Sequence, residues 1–194
     1  MKEYSDIILD LPFKGGNVIA VTGVDVVVEK IPESSRHSSS LLNYISKVCP
    51  DKTFIRKLFV NIGPGNFSSL RVVIISALGL VKGLNISNND LQGFSVLDVI
   101  ASNYPKSEKF SIHVSDNRGG FLGSSYVRNE KLEIAEPMFR LSASDAEEKL
   151  EPIKVIEDFK NLEPQKIIKY IYSSDFCQRD IMDPLYYQKS YFEK

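Results

Sequence analysis

The chain has 194 residues, of which 43% are hydrophobic and 25% are charged, and its formal net charge is −1. This is enough for one large domain or two small ones with a real core, and the charge balance argues against a generally basic nucleic-acid binder. Cys49 and Cys177 lie far apart and form no metal-type spacing. The N-terminus shows no export pattern, and no apolar run is long enough to span a membrane. We therefore expect a reduced, cytoplasmic protein.

The first half of the chain predicts a three-stranded meander followed by helices and a short strand. Its β-rich runs are separated by turn residues and lie at 6–11, 17–21 and 24–30. The apolar residues of the next segment, 34–49, recur at helical spacing and predict a helix. A short apolar strand is predicted at 57–63, and a long helix at about 68–84.

The second half repeats this order of elements. A helix at 95–104 opens with Ser95 and Asp98 in capping-box positions, with Asp in place of the usual Glu or Gln. The remaining predicted elements are strands at 110–116, 121–127, 132–136 and 153–158, and helices at 142–150 and 164–172. The repeated meander hints at an internal duplication. We therefore predict two lobes, 1–103 and 104–194, with the last helix or the tail packing back on the first lobe.

The helix predicted at 68–84 lacks the broad polar face of a surface helix. Its charged residues are Arg71 and Lys82, which lie on the same side of the helix when residues are placed at about 100° steps. A stripe of mostly small side chains is formed by Val72, Ser76, Gly79 and Gly83. Glycine costs about 1 kcal/mol relative to alanine inside a helix, so two glycines suggest the close approach of a neighbouring backbone. From spacing alone, that neighbour is either another part of this chain or a partner subunit.

The segment GPGNFSSLR, at 63–71, has the residues of a tight turn into a helix. Gly63 and Gly65 permit close approach or positive φ. The residues able to cap the helix are Asn66, Ser68 and Ser69. The free N–H groups at a helix N-terminus suit a phosphate, but there is no Walker lysine and no dinucleotide fingerprint. A phosphate loop and a plain capped helix therefore both remain open.

In combination, these segments resemble the TsaB (YeaZ) family, whose members are paralogues of the tRNA-modification protein TsaD. The stretch GPGNFSSLR followed by GLVKGL resembles the family's GPGSFTGLR and AKGLA core. The stretches IILDLPFKGGNVIAV, RHSSSLLNYI and DPLYYQKSYFEK resemble its first hairpin, its HS..LLP.I helix and its closing P.YLR. The resemblance implies an α/β protein of the actin-like ATPase/sugar kinase (ASKHA) fold, in which two related lobes each hold a mixed sheet flanked by helices.

The resemblance further implies an accessory, non-catalytic role in making N6-threonylcarbamoyladenosine at position 37 of tRNA. Such a subunit pairs with a TsaD-like catalytic protein and works with a TsaE-like ATPase. It meets tRNA only through the complex. We expect no membrane binding, and we expect the partner-binding surface to form a homodimer when the chain is alone, although the sequence leaves open a homodimer or a monomer in isolation. The pairing uses first-lobe helices, which here are those at about 38–49 and 68–84. The predicted contact residues are Leu41, Ile45, Val72, Ile75, Ser76, Gly79 and Gly83.

The resemblance does not extend to a catalytic site. TsaD binds its metal through two histidines four residues apart on one helix face. The matching positions here are Val96 and Ile100, which cannot bind a metal, and His37 and His113 lie far apart in sequence. The sequence shows no set of three metal ligands, so we do not expect a metallopeptidase. It also has no G-x-S-x-G elbow, the motif of a serine nucleophile.

A rival interpretation is a small nucleotide-binding phosphotransferase or ATPase of the same fold. Asp10 matches the carboxylate that actin-like kinases place near the first hairpin. The loop residues that would bind phosphate beside it are Gly63, Gly65 and Ser68. The family's DTST is DLPF here, which removes the hydroxyl groups, and the roles of Asp116 and Arg118 in the second lobe stay open. We predict that the chain requires no cofactor. The remaining hypothesis for a nucleotide is that ATP or ADP binds at the partner interface.

Overall fold

The computed structural model describes residues 5–13, 15–33, 37–104, 109–115, 121–141, 153–156 and 162–185. The chain forms two compact units, Met1–Phe94 with Gln178–Tyr186, and Ser95–Cys177 with Tyr187–Lys194. The division falls after Phe94, whereas the sequence-based boundary lay at residue 103. The helix predicted at 142–150, together with Asp116 and Arg118, lies outside the described residues.

The first unit is built on a five-stranded mixed sheet. Its strands are β1 (Ser5–Phe13), β2 (Gly15–Thr22), β3 (Asp25–Ile31), β4 (Ile55–Asn61) and β5 (Leu91–Phe94). Their order is β3-β2-β1-β4-β5; β1 to β3 form the predicted antiparallel meander, and β4 and β5 run parallel to β1. The central position of β1 explains its continuous apolar run, since Ile7, Ile8 and Leu9 are buried on both faces. Strand β5 was not predicted.

Two helices pack on this sheet and on each other. Helix α1 (His37–Val48) lies against β2 and β3, and α2 (Phe67–Leu84) lies against β1 and β4. The residues that α2 buries recur every three or four positions and include Leu70, Val73, Ile74, Ala77 and Val81. Helix α2 begins after Asn66 and ends at Asn85, whose φ of 53° is the left-handed conformation that commonly terminates helices.

The segment 178–185 returns to the first unit after the chain has built the second. Arg179 and Gly93 of β5 exchange two backbone hydrogen bonds, with N···O distances of 3.2 and 2.9 Å. Further along, the N–H of Leu185 donates to the carbonyl oxygen of Ile62 at 2.7 Å. The segment therefore covers the outer edge of β5 and reaches the loop that precedes α2.

The second unit repeats the topology of the first. Its strands are β6 (Lys109–Ser115), β7 (Phe121–Arg128), β8 (Leu132–Leu141) and β9 (Ile153–Ile156). They lie in the order β8-β7-β6-β9, with an antiparallel meander and a fourth strand, β9, parallel to β6. Each sheet is thus a meander extended from its first strand by a parallel strand, which supports the predicted internal duplication.

Helices α3 (Val96–Ser102) and α4 (Pro164–Ile171) belong to the second unit and pack together. Helix α3 opens with the predicted capping box of Ser95 and Asp98. Asp98 is fully buried and also accepts a hydrogen bond of 2.8 Å from the Tyr126 hydroxyl. At the other end of α3, Arg128 donates to the carbonyl oxygens of Ala101 and Ser102, both at 3.1 Å. Both ends of this short helix are therefore tied down by side chains.

Candidate functional site

The outward side of α2 and one residue of α1 expose large apolar side chains. Ile75 is 62% exposed, Leu42 54% and Leu78 36%. Val72 and Ser76 are half-buried, and Gly79 and Gly83 are exposed. We call these seven residues the α1/α2 face. An apolar side chain as exposed as Ile75 contributes little to the folding of this unit, so the face is a candidate for binding rather than for packing.

The opposite sides of the same helices form the core of the unit. Leu41 is 2% exposed and Ile45 is completely buried, although both were predicted to contact a partner. Their own chain covers them, so they do not belong to the surface that a partner would meet. Leu42 follows Leu41 and points outward, and it was missing from the predicted set. Of the predicted α2 residues, Val72, Ile75, Ser76, Gly79 and Gly83 all reach the surface.

Gly79 and Gly83 are not required by any contact within the described part of the chain. A Cβ atom added at either position would have no atom within 4 Å. Each glycine therefore leaves α2 with the entropic cost of about 1 kcal/mol and no packing gain in the isolated unit. The sequence left open whether the neighbour of these glycines is another part of this chain or a partner subunit. Within the described ranges, no other part of the chain approaches them.

By composition alone, α2 also resembles a membrane-spanning helix. Contrary to the expectation from the sequence, α2 is long and apolar enough to cross a membrane by length and composition, the one such helix in the described ranges. Its buried residues, however, pack on β1 and β4 of its own sheet. Core helices of soluble proteins can be equally long and apolar, and the buried stripe of α2 is typical of a core helix.

The Gly-Pro-Gly loop before α2 is held by its own chain. The N–H of Gly63 donates to the Asn61 side-chain oxygen at 2.9 Å, and the N–H of Gly65 donates to the Leu185 carbonyl oxygen at 3.0 Å. The N–H of Asn66 donates to the carbonyl oxygen of Pro12 at 2.7 Å. These three amides are among the groups that a phosphate-binding loop could direct at its ligand. Here each already has an acceptor.

The same contacts explain why the loop needs glycine. A Cβ on Gly65 would overlap the Pro12 carbonyl oxygen, and a Cβ on Gly63 would overlap that of Leu185. Gly63 also has a φ of +115°, which side-chain-bearing residues rarely adopt. The two glycines therefore serve the close packing of the first hairpin and segment 178–185 around the loop.

Asp10 lies beneath this loop and is only 6% exposed. One of its carboxylate oxygens accepts a hydrogen bond of 2.7 Å from Asn61, and the other accepts one of 3.2 Å from Asn17. Burial raises the pKa of the Asp10 carboxyl group, and the two amide hydrogen bonds partly oppose that shift. Asn61 thus connects Asp10 to the N–H of Gly63 in an internal hydrogen-bonded network. The N–H of Gly65 donates separately to the Leu185 carbonyl oxygen. Ser68, the fourth of the predicted nucleotide residues, is exposed on α2.

The remaining candidate catalytic groups do not converge within the described ranges. No three of their His, Cys, Asp and Glu side chains form a group that could hold a metal ion. His113 lies on β6 with 1% exposure, and neither of its ring nitrogens has a hydrogen-bond partner among the described residues. Burial lowers the pKa of His113, which therefore favours the neutral ring. Val96, which the family resemblance places at the position of a metal-binding histidine of TsaD, is buried.

Sequence reasoning missed Leu42, Leu78, Asn61 and the role of segment 178–185. Leu42 and Leu78 could have been found only by knowing which side of each helix faces the sheet. Asn61 has a weak signal, because a polar residue at the end of the apolar strand β4 needs buried partners. The contact of Leu185 with the loop joins residues that are far apart in sequence, and no local pattern reports it.

Comparisons with known proteins agree with this architecture. No family model and no curated protein matches the chain. Among solved structures, it is similar to YeaZ from Pseudomonas aeruginosa with a TM-score of 0.56 and 15% identity, over 71% of this chain and 66% of that one. A second structure is titled an uncharacterized protein with similarity to peptidase YEAZ from Pseudomonas aeruginosa. It matches with a TM-score of 0.57 and 15% identity, over 72% of this chain and 67% of the other.

The matched part of this chain therefore spans about two thirds of the length of these structures. At this identity the likeness concerns the fold, and it confirms the α/β architecture that the sequence predicted. The two mixed sheets with their flanking helices are the actin-like fold of the YeaZ (TsaB) structures.

Proposed function

We propose that this chain is an accessory, non-catalytic subunit of the machinery that makes N6-threonylcarbamoyladenosine at position 37 of tRNA. In this role it binds a TsaD-like catalytic subunit through the α1/α2 face, with a TsaE-like ATPase in the same complex. The catalytic groups, and any nucleotide at the interface, come from the partners. The observation that carries the proposal is the α1/α2 face on a YeaZ-like fold.

Two properties of this face favour a protein partner. It combines exposed Ile75 and Leu78 with Gly79 and Gly83, at which a neighbouring helix can approach the backbone of α2 closely. Burying an exposed isoleucine or leucine contributes about 1.5–3 kcal/mol, so a few such contacts support a specific complex. The nucleotide-binding rival is less well supported, since the amides of Gly63 and Gly65 are already bonded.

The decisive variant is Gly79→Leu. Its side chain enters open space in the isolated chain, so the variant should fold with at least wild-type stability. In the complex the same side chain would hold the partner's backbone away from α2. We expect the purified variant to lose binding to the TsaD-like protein by at least about 100-fold, measured by calorimetry or co-purification.

A matched control is Gln165→Leu, which adds the same exposed side chain to α4 of the second unit. We expect this variant to bind the TsaD-like protein as the wild type does. Wild-type binding by Gly79→Leu would reject the α1/α2 face as the interface.

The functional test is reconstitution of tRNA modification from TsaD-like and TsaE-like proteins, threonylcarbamoyl-AMP and tRNA, with and without this chain. We expect modification to depend on the chain and to fail with Gly79→Leu. The rival function is tested by calorimetry with ATP and magnesium on the isolated chain. Tight binding that Asp10→Ala abolishes would favour a phosphotransferase over the accessory role.

A further inference from the structure

The charges on α1 and α2 are all of one sign. The charged residues of these two helices are Lys47, Arg71 and Lys82, and neither helix contains an aspartate or a glutamate. Lys47 is neutralised by Glu29 of β3 at an N···O distance of 3.3 Å. Arg71 lies over the ring of Phe67, 5.0 Å from its centroid. Within the described ranges, no ion pair to Arg71 or Lys82 is formed, and both are exposed.

These two cations border the apolar part of the α1/α2 face. They are about three helical turns apart, which places them on the same side of α2 with roughly 16 Å between them along the axis. Exposed Ile75 and Leu78 lie between them in sequence and on the same side. The outward side of α2 is therefore an apolar centre with a positive charge at either end.

We propose that the chain's partner presents an apolar surface flanked by two carboxylates, spaced to meet Arg71 and Lys82, and that this charge pattern selects a different protein over a second copy of the chain. The inference rests on the proposed function, because it concerns the occupant of the same face. Opposite charges at the rim of an interface mainly set partner choice and association rate.

A second copy fits this pattern poorly. A two-fold axis through the centre of the exposed side of α2 makes the two helices antiparallel. Arg71 of one copy then faces Lys82 of the other, and this happens twice. Neither α1 nor α2 offers a carboxylate to neutralise these contacts. The homodimer expected from the sequence is therefore disfavoured by the charges of this chain.

An anionic membrane is the other occupant with a matching charge. Interfacial helices, however, carry a polar face rich in lysine and arginine opposite their apolar face. Helix α2 has two cations, and its other side is buried in its own unit. Gly79 and Gly83 also suit the backbone of another helix better than acyl chains. We therefore treat membrane binding as an outcome of the test.

The first experiment needs no partner and uses charge reversal. Arg71→Glu and Lys82→Glu each make the antiparallel pairing self-complementary, whereas the double variant restores like charges. We expect sedimentation velocity at low salt to show a monomeric wild type and double variant. Each single variant should self-associate at least tenfold more tightly. Lys169→Glu, the same charge change at an exposed position of α4, should behave as the wild type.

The second experiment measures binding of the TsaD-like protein to the same variants. We expect each single reversal to weaken binding at least tenfold, the double reversal to weaken it further, and the wild-type affinity to fall as salt rises. Lys169→Glu should bind normally. Vesicles of phosphatidylserine and phosphatidylcholine serve as the membrane probe and should bind none of the variants.

The outcomes separate the two proposals. If the wild type fails to bind the TsaD-like protein, both the proposed function and this inference fail. If the wild type binds it and both reversals bind equally well, the inference alone fails. The inference would also be overturned if the wild type forms a dimer that the single reversals leave unchanged or weaken. Vesicle binding that depends on Arg71 and Lys82 would overturn it as well.

Discussion

Two pairs of glycines lie at opposite ends of the same stretch of chain and meet opposite surroundings. At Gly63 and Gly65, before α2, an added Cβ would overlap backbone carbonyl oxygens of the same chain. At Gly79 and Gly83, within α2, an added Cβ would meet nothing within 4 Å. The first pair is required for the chain to close around its own loop. The second pair contributes nothing to that closure and even weakens the helix.

This contrast separates folding from binding along one segment. The family resemblance covers both pairs, and a motif match alone cannot say which of its residues serve the fold. The structure assigns Gly63 and Gly65 to the packing of Pro12 and Leu185 around the loop. Gly79 and Gly83 have no packing role within the described ranges, which is why the accessory role is proposed for the second pair.

The largest expected effect is at the loop. Gly63→Ala adds a Cβ where the Leu185 carbonyl lies and places alanine at a φ of +115°. Overpacking costs about 1–3 kcal/mol and a strained backbone about another 1–3 kcal/mol, so we expect a loss of roughly 3 kcal/mol or more in the free energy of unfolding. Chemical denaturation monitored by circular dichroism measures this loss.

Gly65→Ala provides a second test at the loop without positive φ. It introduces the overlap with the Pro12 carbonyl oxygen alone, so its loss should be smaller than that of Gly63→Ala. Wild-type stability in both variants would mean that the loop does not pack as the structure has it, and the amides would again be available to a phosphate.

The same contrast can be tested on α1 with two neighbouring leucines. Leu41 is 2% exposed and Leu42 is 54% exposed. Leu41→Ala should lower the free energy of unfolding by about 2–5 kcal/mol, because it leaves a cavity in the core. Leu42→Ala should change stability by less than about 0.5 kcal/mol and instead weaken binding to the TsaD-like protein. Equal losses of stability would show that α1 is rotated relative to its position here.

The sequence predicted those parts of the fold that have a local pattern. The meanders, the helices of the first unit and the capping box of Ser95 and Asp98 all follow from spacing and turn residues. Strand β5 was missed because it has four residues and includes Gly93, whose place in the sheet depends on Arg179. A strand fixed by a distant segment leaves no periodic signal.

The candidate site was also predicted only where it has a local sequence pattern. Helical spacing identified α2 as unusually apolar and singled out its small stripe, and both features reach the surface in the structure. The spacing of Leu41, Leu42 and Ile45 does not say which side of α1 faces the sheet, because leucines occur on both sides. The orientation is set by packing on β2, β3 and α2, which are tertiary contacts.

The smallest expected effect is a gain in stability at the open glycines. Gly83→Ala removes the backbone entropy that glycine loses on folding, and its Cβ has no neighbour to displace. We expect the free energy of unfolding of the isolated chain to rise by about 0.5–1 kcal/mol, measured by denaturant titration. Ser76→Ala, a half-buried control on the same helix, should change it by less, since serine is a better helix former than glycine. A variant that is more stable alone yet weaker in binding its partner would show that glycine at this position is retained for the assembly, whereas a loss of stability would mean that the chain itself packs against Gly83.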